Sequence, residues 1–220
     1  TGAAGGMGSC LCRLLLERGY RVVGVDHNQA RLAELNESFS SPEFLSLCEE
    51  LVSPTIVQRL EEVLKHESQV WGLVNMAAVS LGDDVANISD DDWEQSLAIN
   101  LSVPMKLTRL VSQFMKDGGG SIVNISSPVG IIGTRKVSYS ASKAGLQGLT
   151  MTTARNLGQY KIRCNLLIPG ARITFMTKDW SEERREAVGC ESFLGRLCTP
   201  LEVAKGVAFL LSEESSFMTG

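Results

Sequence analysis

The chain has 220 residues, 44% of them hydrophobic, and a formal net charge of −4 made of interspersed charges of both signs. That suits one soluble domain with a sizeable core; no basic block points to nucleic acid, no polybasic run to a membrane surface, and no apolar run is long enough to span a bilayer. The six cysteines (10, 12, 48, 164, 190 and 198) and two histidines have no metal-ligand spacing, so reduced thiols, no metal and a cytoplasmic setting are expected.

Thr1-Gly2-Ala3-Ala4-Gly5-Gly6-Met7-Gly8 is a glycine-rich turn. It leads into a helix over 7–18, where Met7, Leu11, Leu14 and Leu15 recur with helical spacing and Gly19 supplies the stop. A short apolar run over 21–26 follows and ends in the carboxylate of Asp26. Glycines let backbone N–H groups approach a pyrophosphate, and the helix start adds positive potential. Asp26 lies 18 residues beyond Gly8, close to the separation at which an acidic residue meets an adenosine ribose diol.

A short helix is expected over 28–36 and a strand over 43–48. Ser53-Pro54 reads as an N-cap followed by a first-turn proline, opening a helix to about His66. A buried strand over 70–75 ends in Asn75-Met76-Ala77-Ala78, small enough to lie against a flat ligand. Ser89-x-x-Asp92 starts a long helix to about Met115. Pro104 forces a kink or bulge in it, and Asn100 sits there among apolar neighbours. After the Gly118–Gly120 turn come a strand over 121–126, a loop, and a helix that carries Tyr139 and Lys143 to about Tyr160. A strand over 162–168 ends at Pro169-Gly170. A short helix near 181–188 and a capped helix over 200–212, opened by Thr199-Pro200-Leu201-Glu202, complete the chain.

Strand and helix alternate throughout, without repeats or linkers, so 1–220 reads as a single α/β domain. The expectation is a Rossmann-like, doubly wound parallel sheet with helices on both faces and a ligand at the carboxyl ends of its strands. Tyr139 and Lys143, four residues apart, share one helix face. An ammonium beside a phenol favours the ionised phenol, which makes a tyrosine usable as an acid or base well below its free pKa of about 10.

These residues together resemble the short-chain dehydrogenase/reductase family over nearly the whole chain. Thr1-Gly2-x-x-x-Gly6-x-Gly8 is similar to its glycine motif, Asn75-Met76-Ala77-Ala78 is similar in part to Asn-Asn-Ala-Gly, and Tyr139-Ser140-Ala141-Ser142-Lys143 to Tyr-x-Ala-Ser-Lys. Asn124-Ile125-Ser126-Ser127 places the family's serine at Ser127, with Ser126 as the alternative. Ser127 to Tyr139 spans 12 residues, one fewer than the family pattern. The resemblance implies a catalytic set of Asn100, Ser127, Tyr139 and Lys143. Tyr139 would exchange the proton, Lys143 would tune it and bind the nicotinamide ribose, Ser127 would bond the reacting oxygen, and Asn100 would hold a relay water. It implies cofactor contacts at Gly2, Gly6, Met7, Gly8, Asp26, Glu50, Asn75, Ala77, Tyr139, Lys143, Pro169, Gly170, Arg172 and Thr174, and assembly as a homodimer or homotetramer. Asp26 would accept bonds from a ribose diol and repel a 2′-phosphate, which favours NAD over NADP. Glu50 is the candidate for the adenine amine, with a solvated carboxylate the equal alternative.

The family's first strand precedes its Thr-Gly, so a strand before Thr1 and another after Gly220 are expected in the natural protein. The expected activity is interconversion of a small-molecule secondary alcohol and a ketone. A non-catalytic dinucleotide-binding regulator on the same fold is the alternative, and a methyltransferase or epimerase is the third reading. Residues 79–84, 128–136 and 174–195 are expected to line the substrate pocket.

Overall fold

The computed structural model describes residues 1–170 and 180–220. The elements are α1 (Gly6–Glu17), β1 (Val22–Asp26), α2 (Gln29–Phe39), β2 (Phe44–Cys48), α3 (Ile56–Leu64), β3 (Gly72–Asn75) and α4 (Asp90–Leu97). They continue as α5 (Val103–Met115), β4 (Gly120–Ile125), α6 (Val129–Ile132), α7 (Val137–Leu157), β5 (Ile162–Leu167), α8 (Glu182–Cys190) and α9 (Pro200–Leu211). The alternation produces the Rossmann-like α/β architecture, with every strand pair parallel.

Two apolar clusters sit on opposite faces of the strands. One gathers Leu11 and Leu15 of α1 with Val203 and Val207 of α9. The other gathers Leu60 of α3 with Leu107 and Val111 of α5. Burying one such side chain completely is worth about 2 kcal/mol. β4 is buried at all six positions, as a central parallel strand covered on both faces must be.

The described strands form a two-stranded and a three-stranded parallel sheet, β1-β2 and β3-β4-β5. The facing edges of β1 and β3 border an apolar cleft of about 530 Å³, with Val23, Val25 and Leu73 among its walls. The first residues bridge it: the Thr1 amino group donates to the Val74 carbonyl at 2.9 Å, and Ala3 N–H to the Val25 carbonyl at 3.1 Å.

Four helix starts carry side-chain caps, and one expected cap is absent. Asn28, Ser89 and Ser181 each accept a bond from the third residue onward, and Thr199 with Glu202 forms a complete capping box. The absent cap is that of Ser53-Pro54. α3 begins at Ile56, and Ser53 Oγ instead accepts from Thr55 N–H in a turn. The hydroxyl is satisfied locally, so it does not cap the helix.

The break at Pro104 is a π-helical segment, Ala98–Ser102, in which Val103 N–H reaches back to the Ala98 carbonyl. Pro104 has no N–H to offer the Asn100 carbonyl four residues back, and the helix widens there. α7 is fixed to the sheet by a buried polar chain. Asn75 Nδ2 donates to Asn124 Oδ1 at 2.8 Å, and Asn124 Nδ2 donates to Thr150 Oγ1 of α7 at 2.9 Å. No helix among the described residues is long and apolar enough to cross a membrane.

Replacing Asn124 by Ala leaves Asn75 and Thr150 without their buried partner. A loss of about 3 kcal/mol in unfolding free energy is expected, read by urea denaturation with an unchanged slope.

Candidate active site

The glycine loop comes first because its shape is set by backbone contact. Gly2 has φ +72°, and a methyl group there would lie 3.1 Å from the backbone of Ala77. A Cβ at Gly8 would sit 2.0 Å from the Gly2 carbonyl oxygen. Only hydrogen fits there, so the loop folds tightly onto the first turn of α1. Thr1 Oγ1 accepts from both Met76 N–H and Ala77 N–H, at 3.1 and 3.2 Å, joining the loop to the segment after β3.

Asp26, at the carboxyl end of β1, is buried. Its Oδ2 accepts from Ala4 N–H and its Oδ1 from Asn28 N–H, both at 3.0 Å. The carboxylate therefore staples the glycine loop to the strand end before any ligand arrives. Glu49 and Glu50 differ: the Arg59 guanidinium beside Glu49 holds its carboxyl below the usual range, while Glu50 is exposed at the cleft wall.

The other end of the site is on α7. Tyr139 and Lys143 stand one turn apart, with Lys143 Nζ 5.7 Å from the centre of the Tyr139 ring. Lys143 is 3% exposed. Its ammonium donates to the Ile125 carbonyl at 2.7 Å, and its own carbonyl accepts from Ser126 Oγ at 2.8 Å. A Cβ at Gly130 would lie 2.7 Å from the Lys143 carbonyl carbon, so α6 packs directly on the backbone of that turn.

Gly2, Gly6, Met7, Gly8, Asp26, Glu50, Ala77, Tyr139 and Lys143 all line one cleft of about 480 Å³. Asn75, Asn100, Ser126 and Ser127 are not among the residues that line this cleft. Asn75 is turned into the protein, bonded to Asn124, and holds the sheet in place of lining the cleft. Asn100 is wholly buried; its Oδ1 accepts from Val79 N–H, and its Nδ2 donates to the Val79 carbonyl and to Ser142 Oγ. Its side-chain amide is taken up by these bonds, so holding a relay water cannot rest on it. Ser126 is committed to the Lys143 carbonyl and 2% exposed, which favours Ser127, the second residue beyond β4, over that alternative. Pro169 and Gly170 follow β5 at the same end of the strands. Arg172 and Thr174 lie outside the described residues.

Sequence reasoning missed His27, Arg31, Gln95 and Ile99, which also line the cleft. His27 and Arg31 could have been found by extending past the strand-end Asp26 into the first turn of α2. Gln95 lies near the end of α4 and Ile99 within the π segment, which periodicity alone does not turn toward a ligand. Among the described residues no group of His, Cys, Asp or Glu could hold a metal ion.

Residues 2–220 match the family model described as enoyl-(acyl carrier protein) reductase. The chain belongs to the short-chain dehydrogenase/reductase family of oxidoreductases. This dehydrogenase/reductase is 35% identical to the 3-oxoacyl-(acyl-carrier-protein) reductase of Thermotoga maritima, an alignment covering 100% of the chain and 92% of that protein. It is 32% identical to the (3R)-3-hydroxyacyl-CoA dehydrogenase of Mus musculus, over 100% of the chain and 90% of that protein. The human protein of that name is 31% identical, with 100% and 90% covered.

The residues present fit a dinucleotide. The cradle at Gly2 and Gly8 admits no side chain, and the cleft continues from it to Tyr139 and Lys143. Gly8→Ala should push the Gly2 carbonyl out of place and raise the dissociation constant for NADH at least tenfold, read by the fluorescence of the bound nicotinamide.

Proposed function

We propose that this short-chain dehydrogenase/reductase interconverts a secondary alcohol and a ketone with NAD(H), Tyr139 acting as the acid/base. The observation that carries the reading is that the glycine loop and the Tyr139–Lys143 pair line the same cleft. Gly2, Gly6, Met7, Gly8 and Ala77 would hold the dinucleotide, with Asp26 at the adenosine ribose and Glu50 toward the adenine. A bound nicotinamide supplies the hydride donor or acceptor.

The chain's own residues supply proton control and orientation. Tyr139 gives a proton to the carbonyl oxygen in reduction and takes it from the hydroxyl in oxidation. Lys143, fixed by the Ile125 carbonyl, keeps positive charge beside the phenol and favours its ionised form. Ser127 donates a hydrogen bond to the reacting oxygen, stabilising charge that builds on it. Pro169, Gly170, Arg172 and Thr174 complete the nicotinamide side by family resemblance, and a homodimer or homotetramer is the assembly that resemblance supports.

The relatives' names point to a 3-oxoacyl or 3-hydroxyacyl thioester as the first substrate to test. The choice of NAD rests on Asp26. Its carboxylate, bonded to Ala4 and Asn28, faces the cleft with negative charge that disfavours a 2′-phosphate. Specificity, as kcat/KM, should favour NADH over NADPH by at least tenfold in steady-state assays.

Tyr139→Phe should reduce turnover by about a thousandfold or more while NADH binding stays within about twofold, since only the proton-transfer group is removed. Unchanged turnover removes Tyr139 from the mechanism. Dinucleotide binding without turnover in the wild-type chain, across thioester and simple secondary-alcohol substrates, favours the non-catalytic regulator.

A further inference from the structure

The helical run α4–π–α5 lies against α7, and two pairs of side chains join them. Ser96 Oγ is 3.1 Å from Ser138 Oγ, and Asn100 Nδ2 is 3.0 Å from Ser142 Oγ. Each pair is spaced by four residues on its own helix, so the joint has two rungs one turn apart. Both rungs continue into the segment after β3. Ser138 Oγ donates to the Leu81 carbonyl at 3.1 Å, and Asn100 bonds both backbone groups of Val79.

The single hydroxyl proton of Ser138 has two acceptors in reach, the Leu81 carbonyl and Ser96 Oγ, both at 3.1 Å. The second rung runs from Asn100 to Ser142 and on to the Tyr139 carbonyl at 2.8 Å. Tyr139 stands between the rungs. Ser96 and Ser138 are both 0% exposed, where a broken bond has no water to replace it. Nothing in the proton chemistry of Tyr139 and Lys143 requires a hydroxyl at position 96 or 138. The geometry does give one a purpose, because Val79 forms part of the cleft wall facing Tyr139.

We propose that Ser96 and Ser138 are positioning residues for Tyr139: their rung sets the first turn of α7 against the cleft wall after β3. The same two segments are also joined by Arg135 with Asp83 at 2.8 Å and Asp84 at 3.4 Å, by Lys136 Nζ donating to the Gly82 carbonyl at 2.5 Å, and by Val137 N–H donating to the Asp83 carbonyl at 3.3 Å. The ion pairs are exposed and worth little individually, and the Ser96–Ser138 rung is the fully buried part of this joint.

The proposal rests on the acid/base reading of Tyr139, and its test separates the two. Ser138→Ala, Ser96→Ala and the double variant are compared with wild type for kcat, NADH affinity and ionisation of Tyr139. Ionisation is followed by ultraviolet difference titration, with Tyr139→Phe as the blank. Each single variant should lower kcat about tenfold, as expected for a misplaced reacting group, with NADH affinity within about twofold. The double variant should be no worse than either single one, because both break one interaction. The Tyr139 midpoint should move up toward the free value of about 10 as its alignment with Lys143 loosens. An unmoved midpoint and kcat in a folded variant overturn the proposal, as does a parallel loss of kcat and NADH affinity. If wild type turns over none of the substrates, the activity reading fails and the titration alone decides the positioning role. If Ser138→Ala does not fold, Ser96→Ala breaks the same rung from the other side.

Discussion

An ammonium ion removed from water must be met by a hydrogen-bond acceptor, and in this protein Lys143 is met by the end of a strand. The Ile125 carbonyl takes its Nζ, and the next residue, Ser126, donates to its backbone carbonyl. Two consecutive residues therefore grip both ends of one lysine. The grip works because β4 is buried throughout and cannot shift to relax it. α6 closes on the same turn through Gly130, where no side chain fits. Placing Tyr139 follows from this: it lies one turn earlier on the helix that the strand end holds.

The glycine loop has an analogous anchor at the opposite end of the cleft. Asp26 collects the amides of Ala4 and Asn28, and Thr1 collects those of Met76 and Ala77. Each strand end thus offers an acceptor to the backbone of the neighbouring loop. The donors and acceptors that shape the cavity are largely satisfied by protein partners, so the loops meet a ligand already ordered.

The parts of this layout legible in the sequence are those encoded locally. Four-residue spacing put Tyr139 and Lys143 on one face, glycines without room for Cβ marked the turn, and Pro104 marked the break in its helix. What was illegible depends on register across strands or on helix-to-helix packing. Asn75 looks like a ligand contact until β3 is aligned with β4, where it falls opposite Asn124. The partners of the Asn100 amide, Val79 and Ser142, come from other elements and appear only once the helices are packed. Ser53-Pro54 has the composition of a helix start, but a local turn satisfies the serine first. Alternation alone cannot say which strands share an edge, and the described strands pair as β1-β2 and β3-β4-β5.

The two apolar clusters have a consequence for how the molecule responds to its ligand. The glycine loop rests on the cluster formed with α1 and α9, whereas α7 contributes Ala154 to the cluster shared with α3 and α5. The cleft between them touches both packing units. A molecule bound along its length is in contact with residues of both clusters. At a ligand concentration one hundred times its dissociation constant, mass action alone adds about 2.7 kcal/mol to the folded state. In this protein that contribution reaches both packing units through the one cleft they share.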